Sequence, residues 1–246
     1  DIHMHVEARL TELIGDTGCF DYGEFTAEYS AFDMPLLYNL ARAGQCGNLP
    51  LMIKPDQENQ GFVTQAAMGA GFKAVLFTDI RSVEDVDIAH RIIRPDTPDE
   101  QGFMGVKLRR PALSSYDTQA YLTDLQSVVF CIMLEKAVAL ENLDPILERA
   151  RSKGVDMTQW GPADFSFSMG DPGLQRSPKI RIYEEKVIAK SLEYGIHPRI
   201  EIGAVEQAKR YMDLGVRHFC LGWDRFILRQ QLTQLGTDMR KLTESL

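Results

Sequence analysis

Two carboxylates carry the chemistry this sequence suggests. Glu135 closes the apolar run 128–134 in Cys-Ile-Met-Leu-Glu-Lys, and Asp164 follows the apolar segment 155–160 in Gly161-Pro162-Ala163-Asp164. Each acid stands just past a strand candidate, one strand–helix unit from the other. In a parallel β/α fold that places both on the rim where ligands bind. Neighbouring carboxylates repel unless positive charge lies between them. A divalent cation with open water positions supplies it, and oxygen ligands suit Mg²⁺ or Mn²⁺. The small residues of 154–173 let a ligand approach the backbone, and free N–H groups there suit an anion. The competing reading is structural: Glu135 paired with a base such as Lys136, and Asp164 capping the segment that follows it.

The elements that would position these acids form an alternation. Short apolar segments at 2–6, 20–27, 51–54, 74–77, 128–134, 155–160, 199–202 and 218–221 read as strands. Helical spacing follows at 7–15, 33–43, 60–69, 82–93, 142–151, 180–194, 205–214 and 225–244. Such βα units argue for parallel strands with helical crossovers. Their number predicts an α/β fold of the closed (β/α)8 TIM barrel type, a single domain over 1–246, with an open doubly wound sheet as the alternative. The stretch 95–121 lacks a period and holds Gly102, Gly105, Lys107, Arg109, Arg110 and Pro111. A loop of that length is usually functional or mobile.

Composition narrows the partners. The chain has 246 residues, 44% of them apolar and 25% charged, with a net charge of −8. That balance argues against nucleic acid or an anionic membrane as the main partner. Cys19, Cys46, Cys131 and Cys220 form no CxxC pair, which suits free thiols in a reducing, cytoplasmic setting. No apolar run reaches bilayer length, and no signal peptide is recognisable.

Three segments then resemble a known family. EKAVALENLDPIL at 135–147, GPADFSFSMGDPG at 161–173 and AKRYMDLGVRHFCLGWD at 208–224 are similar to the HpcH/HpaI aldolases, class II metal-dependent pyruvate aldolases. The resemblance implies a metal held by Glu135 and Asp164. It implies a pyruvate-like carboxylate received by the backbone around Gly161, Pro162, Ala163 and Asp164. The family's substrate-binding arginine falls on Lys54 in Met-Ile-Lys-Pro, with Ile53 as the alternative one position away. Lysine keeps the charge but loses the bidentate fork. The family's Asp-x-Glu-His falls on Thr26-Ala27-Glu28-Tyr29. Glu28 matches, while Tyr29 replaces the acid–base histidine and Thr26 its aspartate. A phenol, with an ordinary pKa near 10, is a poor base at neutral pH but can donate a hydrogen bond. The family's glycine- and arginine-rich loop is altered to Gly-Phe-Met-Gly at 102–105.

The implied reaction is retro-aldol cleavage of a 4-hydroxy-2-oxo acid to pyruvate and an aldehyde, with Glu28 positioning water and Tyr29 donating a proton. Decarboxylation, or 2-oxo-acid binding without turnover, are the alternatives that the missing histidine keeps open. The resemblance also implies a homo-oligomer, trimer or hexamer, in which the C-terminal helix 225–246 is exchanged between neighbours. A different class of site is conceivable. His3 and His5, two apart on the first strand, with His197, His218 and Asp224, match the pattern of a metal-dependent amidohydrolase.

Overall fold

The computed structural model describes residues 2–4, 8–106 and 117–244, with side chains from residue 8 onward. His5, Lys107, Arg109, Arg110 and Pro111 lie outside the described residues, and of His3 only the backbone is described. Eight strands form one sheet in sequence order: β1 (Ile2–Met4), β2 (Gly23–Thr26), β3 (Leu51–Lys54), β4 (Ala74–Phe77), β5 (Val129–Leu134), β6 (Met157–Trp160), β7 (His197–Ile202) and β8 (His218–Leu221). All seven described pairings are parallel. The sheet curls until β8 and β1 come into contact; no β8–β1 ladder occurs among the described residues. The helices between them are α1 (Ala8–Asp16), α2 (Met34–Cys46), α3 (Gln60–Ala70), α4 (Val83–Ile93), α5 (Thr118–Gln126), α6 (Ala137–Glu141), α7 (Leu143–Ser152), α8 (Pro162–Ser168), α9 (Ile180–Glu193) and α10 (Ala208–Asp213), and α11 (Asp224–Thr243) closes the chain.

The strand period of two explains the layers. Phe25, Ile53, Val75, Phe77, Phe130, Ile132, Leu134 and Ile200 point outward into the main core against the helices. The intervening residues Met52, Ala74, Leu76, Cys131, Met133 and Met157 make a second cluster inside the curl. Both faces are therefore covered, which is why the strands read as apolar runs rather than clean alternations.

The element order agrees with the sequence reading, and the boundaries differ for local reasons. A helix occupies the end of the stretch 95–121: Asp117 accepts hydrogen bonds from the N–H groups of Gln119 and Ala120 and starts α5. The expected turn after Trp160 is the first turn of α8, with Pro162 at its start. β7 begins earlier than expected, at His197, because it pairs with Met157 at the base of β6. Ser82 and Asp85 form a full capping box on α4. The loop 102–105 folds back on Arg94 and Pro95, where a Cβ on Gly102 would lie 1.8 Å from the Arg94 carbonyl oxygen. No described helix is long and apolar enough to cross a membrane.

Candidate active site

A cavity of about 590 Å³ opens at the carboxyl ends of the strands. Glu135, Asp164, Lys54, Tyr29, Gly161, Pro162 and Ala163 all line it, together with Gln159, Trp223, Glu201 and Arg225. The parallel ladder produces this convergence. Leu134 pairs with Trp160, so the residues that follow them, Glu135 and Gly161, leave adjacent strands at one level.

Glu135 is nearly inaccessible, at 3% exposure. Its Oε1 accepts a hydrogen bond of 2.9 Å from the N–H of Asp79, which leaves β4 in a left-handed conformation with φ 59°. Burial pushes the Glu135 carboxyl up to about 7, against the opposing pull of Lys54 and the Asp79 N–H. Gly161 is required beside it: a Cβ there would lie 2.4 Å from Glu135 Oε2. Asp164 sits in the first turn of α8, half-buried, and makes no capping bond to that helix. Its Oδ1 lies 3.0 Å from Lys136 Nζ, and the same ammonium lies 2.6 Å from Asp79 Oδ1. The structural alternatives of the sequence reading are thus resolved in an unforeseen way. Lys136 pairs with Asp79 and Asp164 rather than with Glu135, and Asp164 is an ion-pair partner rather than a cap.

The other wall is built by β2 and β3. Lys54 closes β3, faces the cavity, and lies 2.6 Å from Glu28 Oε2. Ile53 points the other way into the main core, so the one-position alternative falls away. Burial works against the Lys54 charge, yet Glu28 and its neighbours carry the ammonium above the ordinary lysine range. Lys54 Nζ also stands 4.8 Å from the centre of the Tyr29 ring. Tyr29 is half exposed and stacks on Trp223 with ring centres 6.1 Å apart. Its phenol is pushed up to about 12, first by burial and then by Glu28 and Asp164, over the opposing effect of Lys54. The phenol keeps its proton at neutral pH, so it suits a donor and not a base. Thr26 does not join this group; it is buried and donates to Glu24 at 3.4 Å.

The donor set fits a hard divalent cation. Among the described residues no group of three or more His, Cys, Asp or Glu converges. The two acids that line the cavity, Glu135 and Asp164, bring carboxylate oxygens, the donor type that suits Mg²⁺ or Mn²⁺. The amidohydrolase constellation does not assemble. His197 and His218 stand at the start of β7 and β8, 5.3 Å apart by ring centres, at the end of the sheet opposite Glu135. Asp224 lies beyond the other end of β8, buried at the start of α11.

The sequence reading missed Asp79, Gln159, Trp223, Glu201 and Arg225. Asp79 carried a usable signal, an acid just past the apolar run 74–77. Gln159 did not: a polar residue within a strand usually marks the solvated face.

Comparison with known proteins places the chain. The model of the HpcH/HpaI aldolase/citrate lyase family matches residues 33–230. A 4-hydroxy-2-oxo-heptane-1,7-dioate aldolase of Shigella flexneri is 29% identical over 156 residues, 63% of this chain and 57% of the relative. The matched part thus spans less than two thirds of that relative's length. A protein of the same name from Klebsiella pneumoniae is 26% identical over 221 residues, 88% of this chain and 80% of its own. Among solved structures, a HpcH/HpaI aldolase/citrate lyase family protein from Burkholderia cenocepacia superposes with a TM-score of 0.86 at 23% identity, covering 97% of this chain and 93% of its own. The citrate synthase SbnG gives a TM-score of 0.81 at 20% identity, covering 98% and 92%. Those structures share the fold.

Proposed function

The chain belongs to the HpcH/HpaI aldolase/citrate lyase family, and from that premise we propose that it is a divalent-metal-dependent carbon–carbon lyase acting on a 2-oxo acid. The reaction we assign is retro-aldol cleavage of a 4-hydroxy-2-oxo acid to pyruvate and an aldehyde. One observation carries this reading: Glu135, just past β5, and Asp164, in the first turn of the helix that follows β6, line one cavity, beside a glycine that the Glu135 carboxylate requires.

Glu135 and Asp164 would hold Mg²⁺ or Mn²⁺. When bound, the cation supplies Lewis-acid polarisation of the 2-oxo group. The chain's own residues do the rest. The Gly161 carbonyl accepts the first bond of α8 from Phe165 N–H at 3.1 Å, so the helix ladder leaves the N–H groups of Ala163 and Asp164 for the substrate carboxylate. Gly161 and Pro162 shape that turn. Lys54 remains charged and stabilises the oxyanion of the enolate. Cleavage breaks the C3–C4 bond. The C4 hydroxyl loses its proton as the aldehyde forms, the bonding pair enters the enolate, and C3 is then protonated. In this reading Glu28 positions the water that takes the hydroxyl proton. Tyr29 donates.

The test is exchange of the pyruvate methyl protons with solvent in the presence of Mn²⁺, followed by NMR. Exchange that disappears in Glu135→Ala and in Asp164→Ala supports the reading. Metal binding without exchange favours a 2-oxo-acid binder without turnover. Carbon dioxide release from a 2-oxo diacid without aldehyde formation favours decarboxylation, a reading kept alive by Tyr29 standing where the family's histidine would be.

We also propose closure of the sheet as a (β/α)8 barrel, one domain over 1–246, and a homo-oligomer, trimer or hexamer, built by exchange of the C-terminal helix. Supporting the last point, every residue of α11 after Asp224 is exposed, and Leu228, Leu232, Leu235, Met239 and Leu242 share one helical stripe. Sedimentation of the full chain tests this; a monomer at micromolar concentration would refute it.

A further inference from the structure

One polar side chain inside the curl is not used by the chemistry above. Gln159 is 2% exposed, yet it lines the cavity. On β6 it lies across from Met133 of β5 and Arg199 of β7, both inward-facing, and one pleat below Gly161. It therefore forms part of the floor beneath Glu135 and Asp164. Its Oε1 is buried and accepts no hydrogen bond. Of its two cross-strand neighbours, Met133 is apolar and Arg199 is engaged with Glu24 and Tyr22, while the ammonium of Lys54, on the same cavity, is paired with Glu28. A buried amide oxygen without a partner is unfavourable in a folded protein, and its presence in a cavity wall points to a ligand that supplies the donor.

The substrate class narrows what that donor is. Resting on the aldolase reading, the shared part of a 4-hydroxy-2-oxo acid offers acceptors at its carboxylate and at its oxo group. Its one donor is the hydroxyl on C4. Pyruvate has none. We propose that Gln159 is a specificity-determining residue whose amide oxygen accepts a hydrogen bond from the C4 hydroxyl. It would select hydroxylated 2-oxo acids over their deoxy counterparts, and orient the C3–C4 bond for cleavage. The hydroxyl has a single proton, so it turns from Gln159 to the water held by Glu28 as the C3–C4 bond begins to break; the amide orients the bound substrate and itself gains and loses nothing.

The experiment compares two reactions in one protein with Mg²⁺ present: retro-aldol cleavage of a 4-hydroxy-2-oxo acid, and methyl-proton exchange of pyruvate. In Gln159→Met, which fills the same space without an amide acceptor, the ratio of the KM for cleavage to the KM for pyruvate exchange is expected to rise about tenfold, the scale of one neutral hydrogen bond. Gln159→Asn keeps an amide one methylene farther away and covers the case of a poorly folded methionine variant; its ratio falls between the two. An unchanged ratio in either variant, whether both KM values rise together or neither rises, overturns the proposal and leaves Gln159 a packing residue. A wild-type protein that exchanges pyruvate protons but cleaves no 4-hydroxy-2-oxo acid overturns the aldolase reading and this proposal with it. That outcome is read before any variant is made, so the two failures are distinct.

Discussion

Two ion-pair systems share the inside of the sheet. In the lower one, Arg199 Nη2 lies 2.5 Å from Glu24 Oε2, and both side chains are wholly inaccessible. Arg199 Nε donates to the Tyr22 hydroxyl at 2.8 Å, and Thr26 donates to the other Glu24 oxygen. In the upper one, Lys54 pairs with Glu28, and Lys136 with Asp79 and Asp164; Lys54, Glu135 and Asp164 line an open cavity, and Asp164 is 42% exposed. The lower pair is dry, matched one to one and committed. The upper group is shared rather than matched: one lysine serves two aspartates, Glu135 makes no side-chain ion pair, and the group opens to solvent through the cavity. Charges of the same kinds thus serve opposite ends. Where water is excluded and partners are matched, an ion pair holds strands in register. Where a buried acid without an ion-pair partner stands beside a cavity, it stays available to a ligand, which is the role proposed above for Glu135.

The sharpest way to break this contrast is to remove one member of the lower pair. Arg199→Met leaves the buried Glu24 carboxylate without its arginine, and should cost about 3–5 kcal/mol in urea denaturation. Replacing both, as Glu24→Leu with Arg199→Met, should recover most of that loss. If the single variant is as stable as the parent, the lower pair is not structural. In the upper group the sign of interest is activity. Glu135→Gln should lower the rate of pyruvate proton exchange by roughly a hundredfold to a thousandfold, about 3–4 kcal/mol of barrier. Its unfolding midpoint should not drop, because the amide relieves a buried carboxylate that lacks an ionic partner. A destabilised Glu135→Gln would place this residue with the lower network.

Lys54→Met follows in size. Loss of one charged hydrogen bond to the substrate, about 1.5–3 kcal/mol, predicts a roughly tenfold to hundredfold fall in kcat/KM for retro-aldol cleavage. Lys54→Arg should restore part of it. The smallest effect concerns a site outside both networks. His90 is buried on α4, its Nε2 is 3.4 Å from Glu100, and its Nδ1 makes no hydrogen bond. Burial, then Lys153 and Arg94, hold its pKa below the ordinary 6.5, against Glu100 and Asp87. Below 6.5 the unfolded chain binds a proton that the folded chain resists, so stability falls as pH drops from 6.5 toward the folded value. Thermal melts between about pH 7 and pH 5.5 should show a Tm decline that His90→Gln flattens. Equal slopes for the two proteins would assign acid sensitivity elsewhere.

Much of the fold was readable because burial repeats locally. The apolar runs 51–54, 74–77 and 218–221 coincide with β3, β4 and β8, and helical spacing located most of the helices. Departures fell where a single polar residue overrides the period. Asp117 starts α5 inside a stretch that reads as a loop, and Asn142 divides α6 from α7. In the site, Glu135 and Asp164 were readable because each stands just past an apolar strand, and Lys54 only through the resemblance that set it at the family's arginine. Gln159 and Arg199 were not, since the same residue types in the same strands serve equally well on a wetted face.

The sequence alone therefore determined the alternation of strands and helices, and which acids would stand at strand ends, because both follow from residues adjacent along the chain. Only the tertiary structure decided which charges meet. Lys136 reaches Asp79 and Asp164 instead of its neighbour Glu135, Arg199 meets Glu24 from the far side of the sheet, and Gln159, lining the cavity, keeps a buried amide oxygen that accepts no hydrogen bond. Coulombic and hydrogen-bond partners are chosen by distance in space and by exclusion of water. Both are set by the curl and register of eight strands, and neither is carried in any one of them.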